Sequence, residues 1–160
     1  MRENDACTEV WFLLCKIGDR ELLVEKSEVS GLLAAKTKLD PFKAIAELRR
    51  LLREQPQEFR YILRVVPIEV VVPTRLELIK KASLELSARI GENETFRVTV
   101  EKRHSSLSSK EVIEAVAEGI NRKVDLLRPD SIVLVEIVGG LTGVSVIRPD
   151  GVLSSVKERV

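Results

Sequence analysis

The chain has 160 residues, 44% apolar and 32% charged, with a formal net charge of +1 at pH 7. That length holds one ordinary domain or two small ones, and the apolar share suffices for a packed core. The near-neutral balance excludes a grossly basic protein, so any nucleic-acid contact has to come from a local patch.

Residues 4–17 fit an amphipathic helix, with Ala6, Val10, Leu13, Leu14 and Ile17 at helical spacing and Gly18 as a C-terminal cap. Trp11 and Phe12 widen the apolar face, so a strand over 9–16 is the alternative. Short strands are expected over 21–25 and 31–37. Asp40-Pro41 reads as a helix start, with Asp as N-cap and Pro at the first helical position. Phe42, Ile45, Leu48 and Leu52 supply that helix with its buried stripe, and Pro56 stops it. Residues 59–72 are rich in β-branched and aromatic side chains, and Pro67 should bend or end the strand because it has no N–H for the ladder. Thr74 and Glu77 have capping-box spacing and open a helix running to about Ile90. A strand from Phe96 and a helix from Ser109 to about Asn121 follow. Arg128-Pro129-Asp130 reads as a turn. Residues 131–138 form a nearly continuous apolar run, the pattern of a strand covered on both faces. The glycines at 139, 140 and 143 punctuate the chain before a last strand over 144–148. Helices and strands alternate throughout, so the fold class is mixed α/β, with a seam near Val72-Pro73.

The stretch from Phe96 to Glu111 carries the chemistry. Phe96, Val98 and Val100 alternate with Arg97, Thr99 and Glu101, which gives the strand one apolar face. The strand ends in Lys102, Arg103 and His104. A short polar loop follows, and Ser108 with Glu111 forms a capping box. Cations beside the unpaired N–H groups of a helix N-terminus suit phosphate. Between Arg97 and Lys110 there are four cations against one anion, an excess hidden in the neutral total. A solvated loop with incidental charge is the alternative.

The second half resembles a THUMP domain, an RNA-binding α/β module of tRNA-modifying proteins. The matching features are the strand Phe96-Arg-Val-Thr-Val-Glu-Lys-Arg103 with its capped helix, and the run Lys123-Val-Asp-Leu-Leu-Arg-Pro-Asp130 leading into Ile132-Val-Leu-Val-Glu-Ile137. The first half looks like the ferredoxin-like domain that commonly precedes THUMP modules, and Phe59-Arg-Tyr-Ile-Leu-Arg-Val-Val-Pro-Ile68 resembles the stand-alone adaptors for tRNA cytidine acetylation. The resemblance implies a ferredoxin-like subdomain over 1–72 and a THUMP domain over 73–160. It also implies binding to the acceptor end of tRNA, with a separate RNA cytidine acetyltransferase forming N4-acetylcytidine. A helix over 4–17 would leave the ferredoxin-like module without its opening strand, which would then be expected upstream of residue 1.

Within that reading, Lys102 and Arg103 would contact phosphates, Arg103 through a bidentate fork. His104 would stack on a base or touch a phosphate, or else is a solvated loop residue. Ser106 offers a hydroxyl donor. Lys110 is a cation where the helix dipole disfavours one. Arg60 and Arg64 could extend the track or simply face solvent. Arg148 and Lys123 are weaker candidates. Gly140 and Gly143 would let RNA approach the main chain, although turn chemistry also explains them.

Catalysis is not expected. GxxxxGK[ST] and GxGxxG are both absent, and His104 has only the neighbouring Ser105 and Ser106 as would-be nucleophiles. Cys7, Cys15 and His104 are scattered, so no metal, cofactor or disulfide framework is expected. No apolar run reaches the length of a membrane span or signal peptide, and the cytoplasm is the expected compartment. Two other readings remain at this point. One is a tRNA-binding subunit for a methyltransferase or thiouridine synthetase. The other is a ferredoxin-like metabolite-binding regulatory module.

Overall fold

The computed structural model describes residues 3–156 and 158. The chain forms two compact units, one built from residues 1–67 with 151–160 and the other from 68–150. The division thus falls at Pro67, a few residues before the expected seam. The last ten residues, which the sequence reading assigned to the second half, belong to the first unit. The tie is a strand pair far apart in sequence: Arg64–Val65 (β3) runs antiparallel to Leu153–Ser154 (β9). Nothing in the local sequence of 151–160 announces that return.

In the first unit, helix α1 (Glu3–Lys16) is followed by strands β1 (Leu23–Lys26) and β2 (Leu33–Lys36), helix α2 (Pro41–Glu54) and β3. Residues 9–16 are therefore helical, and no strand precedes α1 among the described residues. The helix–strand–strand–helix–strand order agrees with the ferredoxin-like reading, but β1 pairs with β2 and β3 with β9 in two separate two-stranded sheets. Leu13, Leu14, Ile45, Leu48, Leu52, Phe59 and Leu153 make up the buried core. Glu9, buried on α1, accepts hydrogen bonds from the backbone N–H groups of Arg60, Tyr61 and Ile62 at 2.7–2.9 Å. Three N–H donors on one carboxylate satisfy a segment that forms no ladder of its own.

The second unit is a five-stranded sheet in the order β4-β8-β7-β5-β6, with β4 at Val70–Pro73, β5 at Thr95–Arg103, β6 at Lys123–Val124, β7 at Ser131–Val138 and β8 at Leu141–Ile147. Strands β5 and β7 run parallel, with Phe96 opposite Ser131 and Arg103 opposite Val138. Strand β8 is antiparallel to both β7 and β4. It begins at Leu141, earlier than expected, because Gly139 at φ +57° turns the chain directly into the hairpin. Helices α3 (Leu76–Leu86) and α4 (Ser109–Gly119) cover one face: Ile79, Val112 and Val116 bury against Phe96, Val98, Val133, Val135, Ile137 and Val146. A 3-10 turn over Ser87–Arg89 replaces the expected last turn of α3 before buried Ile90. The expected capping box at Thr74 does not form. Arg75 takes the N-cap position without a side-chain bond, and Thr74 Oγ1 instead shares a 2.9 Å hydrogen bond with Thr142 Oγ1 on β8.

Glu69, just before β4, accepts from Val146 N at 2.9 Å and Ser145 Oγ at 3.3 Å and pairs with Arg89. Burial alone would raise its pKa. The Arg89 guanidinium and the Val146 N–H outweigh that and hold the carboxyl below its usual 4.5. A carboxyl held below its unfolded value stabilises the fold above about pH 4.5, and the contribution fades as pH falls through the folded value. Glu69→Gln should lower the unfolding free energy by about 1–2 kcal/mol at pH 7. The gap between variant and wild type should narrow in denaturant titrations at about pH 3, whereas a gap independent of pH would contradict the role assigned to the carboxylate.

Candidate nucleic-acid interface

Parallel pairing puts the C-terminal ends of β5 and β7 side by side, and the antiparallel β8 brings the end of β4 to the same place. Gly139 N donates to Arg103 O at 2.9 Å, and Thr74 N donates to Gly140 O at 2.9 Å. Helix α3 starts just after β4 and α4 just after β5, so both helices point their N-termini toward this end of the sheet. The first-turn N–H groups of an α-helix have no intrahelical acceptors and carry the positive end of its dipole. Ser108 caps α4 as expected, its Oγ accepting from Glu111 N at 3.3 Å, which leaves the other first-turn donors of that helix open to a ligand.

Successive strand residues point to opposite faces, and this separates the two cations that the sequence placed together. Lys102, opposite Ile137, lies on the helix-covered face, and its Nζ reaches Leu107 O at 2.9 Å in the loop before α4. An ammonium has three donors, so two remain for a ligand. Arg103 lies on the other face, where its Nη1 meets Glu136 Oε2 at 2.8 Å; the two side chains are 27% and 10% exposed. It balances a nearly buried carboxylate, so part of the guanidinium is already engaged.

His104 is exposed and adopts φ +55°, making it the non-glycine residue with positive φ among those described. That left-handed residue reverses the strand into the loop and holds the imidazole outward. Ser106 and Lys110 are also exposed. Arg75, which the sequence reading missed, stands at the N-cap of α3 with its side chain 66% exposed, 3.3 Å from Glu77. Such a solvent-exposed pair adds little stability and yields readily to a phosphate. Only the non-local β4–β8 pairing brings Arg75 to this end, so no local sequence signal marked it.

The remaining candidates lie elsewhere or serve the fold. Arg148 is at the opposite end of the sheet, roughly 26 Å away along β5 at ~3.3 Å per residue. There its Nη1 contacts Glu94 Oε2 at 2.7 Å and Asp130 O at 3.0 Å. The Arg148 hydrogen bond, aided by the Gly91 N–H, lowers the pKa of Glu94. Gly143 is glycine for packing: a Cβ there would sit 2.9 Å from Ile68 Cγ2. Gly140 does face open space, with nothing within 4 Å of such a Cβ. Arg60 and Arg64 belong to the first unit. Lys123, on β6, pairs with Thr95 and so lies at the far end of β5.

Comparison with known proteins agrees with this architecture. Residues 73–147 match the model of the THUMP domain, and that part of the chain is a THUMP domain. No curated protein sequence matches the chain. Among solved structures it is similar to PH1313 from Pyrococcus horikoshii Ot3, at 22% identity and TM-score 0.62, over 89% of this chain and 48% of that one. The chain thus spans about half the length of that relative. It is also similar to the THUMP domain of THUMP domain-containing protein 1, at 30% identity and TM-score 0.40, over 46% of this chain and 84% of that one. A third similarity is to a 4-thiouridine synthetase–RNA complex with bound ATP, at 18% identity and TM-score 0.42, over 79% and 41% of the two chains.

Arg103→Ala should remove the cation that Glu136 Oε2 meets and cost about 3 kcal/mol, the lower end of the range for breaking a buried pair. Adding Glu136→Gln should recover part of that loss in the same denaturant titration. A single variant as stable as wild type would mean that Arg103 is not held by this contact.

Proposed function

We propose that this chain is a non-catalytic tRNA-binding adaptor that presents tRNA to a separate RNA cytidine acetyltransferase for N4-acetylcytidine formation. The observation that carries the RNA-binding part is the convergence, within a THUMP domain, of two helix N-termini with Arg75, Lys102, His104 and Lys110. Ammonium and guanidinium groups beside open backbone N–H donors match the oxygens of a sugar–phosphate chain, and they can do so without reading bases. Aromatic residues make up only 4% of the chain, so stacking on bases is a minor contributor and phosphate contacts dominate. The chain's part is to hold and position its RNA, while the acetyl group and the reactive centre come from the partner enzyme. The acceptor end of tRNA, a single-stranded terminus beside a duplex, is the substrate region that this reading assigns to the site.

With about three phosphate contacts, the logarithm of the tRNA association constant should fall against log salt with a slope of about −2 to −3. Lys102→Ala with Lys110→Ala should flatten the slope by about one to two units. An unchanged slope and affinity would remove these residues from the interface. Reconstitution separates the partner enzymes: the chain, tRNA and a purified RNA cytidine acetyltransferase should together yield acetylcytidine at a rate the enzyme alone does not reach. Stimulation of a methyltransferase or thiouridine synthetase in its place would transfer the adaptor role to that chemistry.

A further inference from the structure

The second unit has another exposed feature, at the opposite end of β5 from the cations. After β6 the chain makes a tight turn through Asp125, Leu126, Leu127 and Arg128. Leu127 is 92% exposed and Leu126 is 62% exposed. Leucines on a loose loop would mean little, but this turn is tied down along its length. Asp125 N donates to Phe96 O at 2.9 Å. Asp125 Oδ1 accepts from both Leu127 N and Arg128 N at 3.0 Å. Arg97 Nη1 donates to Leu126 O at 2.8 Å, and Asp130 Oδ2 accepts from Thr95 N at 2.8 Å. The backbone is fixed while its two largest apolar side chains are held in water, an arrangement that costs solvation free energy and fills no core.

The charges around the leucines identify what they fit. Lys123 and Arg128 flank them and are exposed. The segment has two carboxylates and both are engaged: Asp125 accepts from the Arg128 and Leu127 N–H groups, which lower its pKa, and Asp130 accepts from Thr95 N and Oγ1. The face is therefore aliphatic, edged by the exposed cations Lys123 and Arg128, while the two carboxylates are bonded to N–H and O–H groups of the turn and of Thr95. RNA is a poor match for it, since unpaired bases are held by aromatic or guanidinium planes rather than by branched alkyl groups. A second copy of the chain would set like-charged rims against each other.

We propose that the Leu126-Leu127-Arg128 turn is a docking contact for a protein partner that offers an apolar pocket with an acidic rim. Leu127 enters the pocket, Leu126 packs at its edge, and Lys123 and Arg128 pair with the carboxylates around it. Rigid presentation lowers the ordering cost of binding, and a central buried anchor inside a charged rim is the usual distribution of energy in such contacts. The placement also leaves the phosphate-facing end of the sheet free, so RNA and partner can be held together.

The test places a photo-crosslinking amino acid at position 127 of the full chain in its native cells, followed by titration of the purified crosslinked partner. The expected result is a protein crosslink whose purified target binds wild type and loses about 10- to 100-fold in affinity with Leu127→Ser, as burial of a leucine side chain implies. Arg128→Glu should weaken the same complex and be rescued by reversing a carboxylate on the partner. Thermal unfolding and tRNA affinity of Leu127→Ser should match wild type, since that side chain is almost wholly in solvent. A crosslink only to RNA, only to a second copy of the chain, or to no macromolecule would overturn the proposal, as would equal binding of the variant by the purified partner. The proposal does not depend on which enzyme is served. Failure of the reconstitution with an acetyltransferase would sink the acetylation reading and leave the docking role of the turn standing, whereas failure of the crosslink would do the reverse.

Discussion

The parallel ladder between β5 and β7 is the constraint on which the second unit depends. Eight residue pairs, from Phe96 opposite Ser131 to Arg103 opposite Val138, put two strand ends at one edge of the molecule's largest sheet. Parallel strands require a crossover, and here α4 and β6 provide it on the way from β5 to β7. The crossover fixes where α4 begins and therefore where its unpaired N–H groups point. The antiparallel return of β8 then carries β4 and α3 into the same orientation. Because the register is held by buried Val98, Val133, Val135 and Ile137, a slip of one residue would turn these side chains away from the helices and put Glu136 and Ser145 under them. The cationic end is thus a consequence of core packing and not of a loop that could wander.

The same sheet separates charges that stabilise from charges that are available. Arg103, Arg148 and Arg89 look alike in sequence, but each is turned onto a carboxylate: Glu136, Glu94 and Glu69 respectively. Lys102 and Lys110 are exposed, Lys102 with one hydrogen bond to Leu107 O, and Arg75 makes an exposed pair with Glu77. With a net charge of +1, such a division is needed if a neutral chain is to attract a polyanion. Within the second unit the two ends of β5 differ in kind, one offering cations and helix N-termini, the other two leucines on a clamped turn.

Features that depend on neighbouring residues were legible in the sequence. The alternation of Phe96, Val98 and Val100 located β5, the Ser108–Glu111 spacing located the start of α4, and Pro67 broke the strand rich in β-branched residues as its missing N–H requires. The mixed α/β class followed from the same signals. Features set by distant residues were not legible. Thr74 has the spacing of a capping residue, but its hydroxyl is drawn to Thr142, sixty-eight positions away. Gly143 resembled a place for close approach by RNA until Ile68 was seen against it. Strand β9 and the return of the C-terminal segment to the first unit rest on pairing with β3, across more than half of the chain. For the candidate interface, the sequence located the loop and its cations. It did not reveal that Lys102 and Arg103 face opposite ways, nor that Arg75 joins them, because both facts depend on sheet register.

The most direct measurement is amide NMR of the full chain titrated with tRNA at low ionic strength. The expected result is that signals from residues 102–112, 75–76 and 139–140 shift together with one affinity, while those of 95–97 and 124–130 stay in place. Shifts confined to the first unit or to the leucine turn, or none at all, would contradict an RNA interface at the C-terminal ends of β5 and β7.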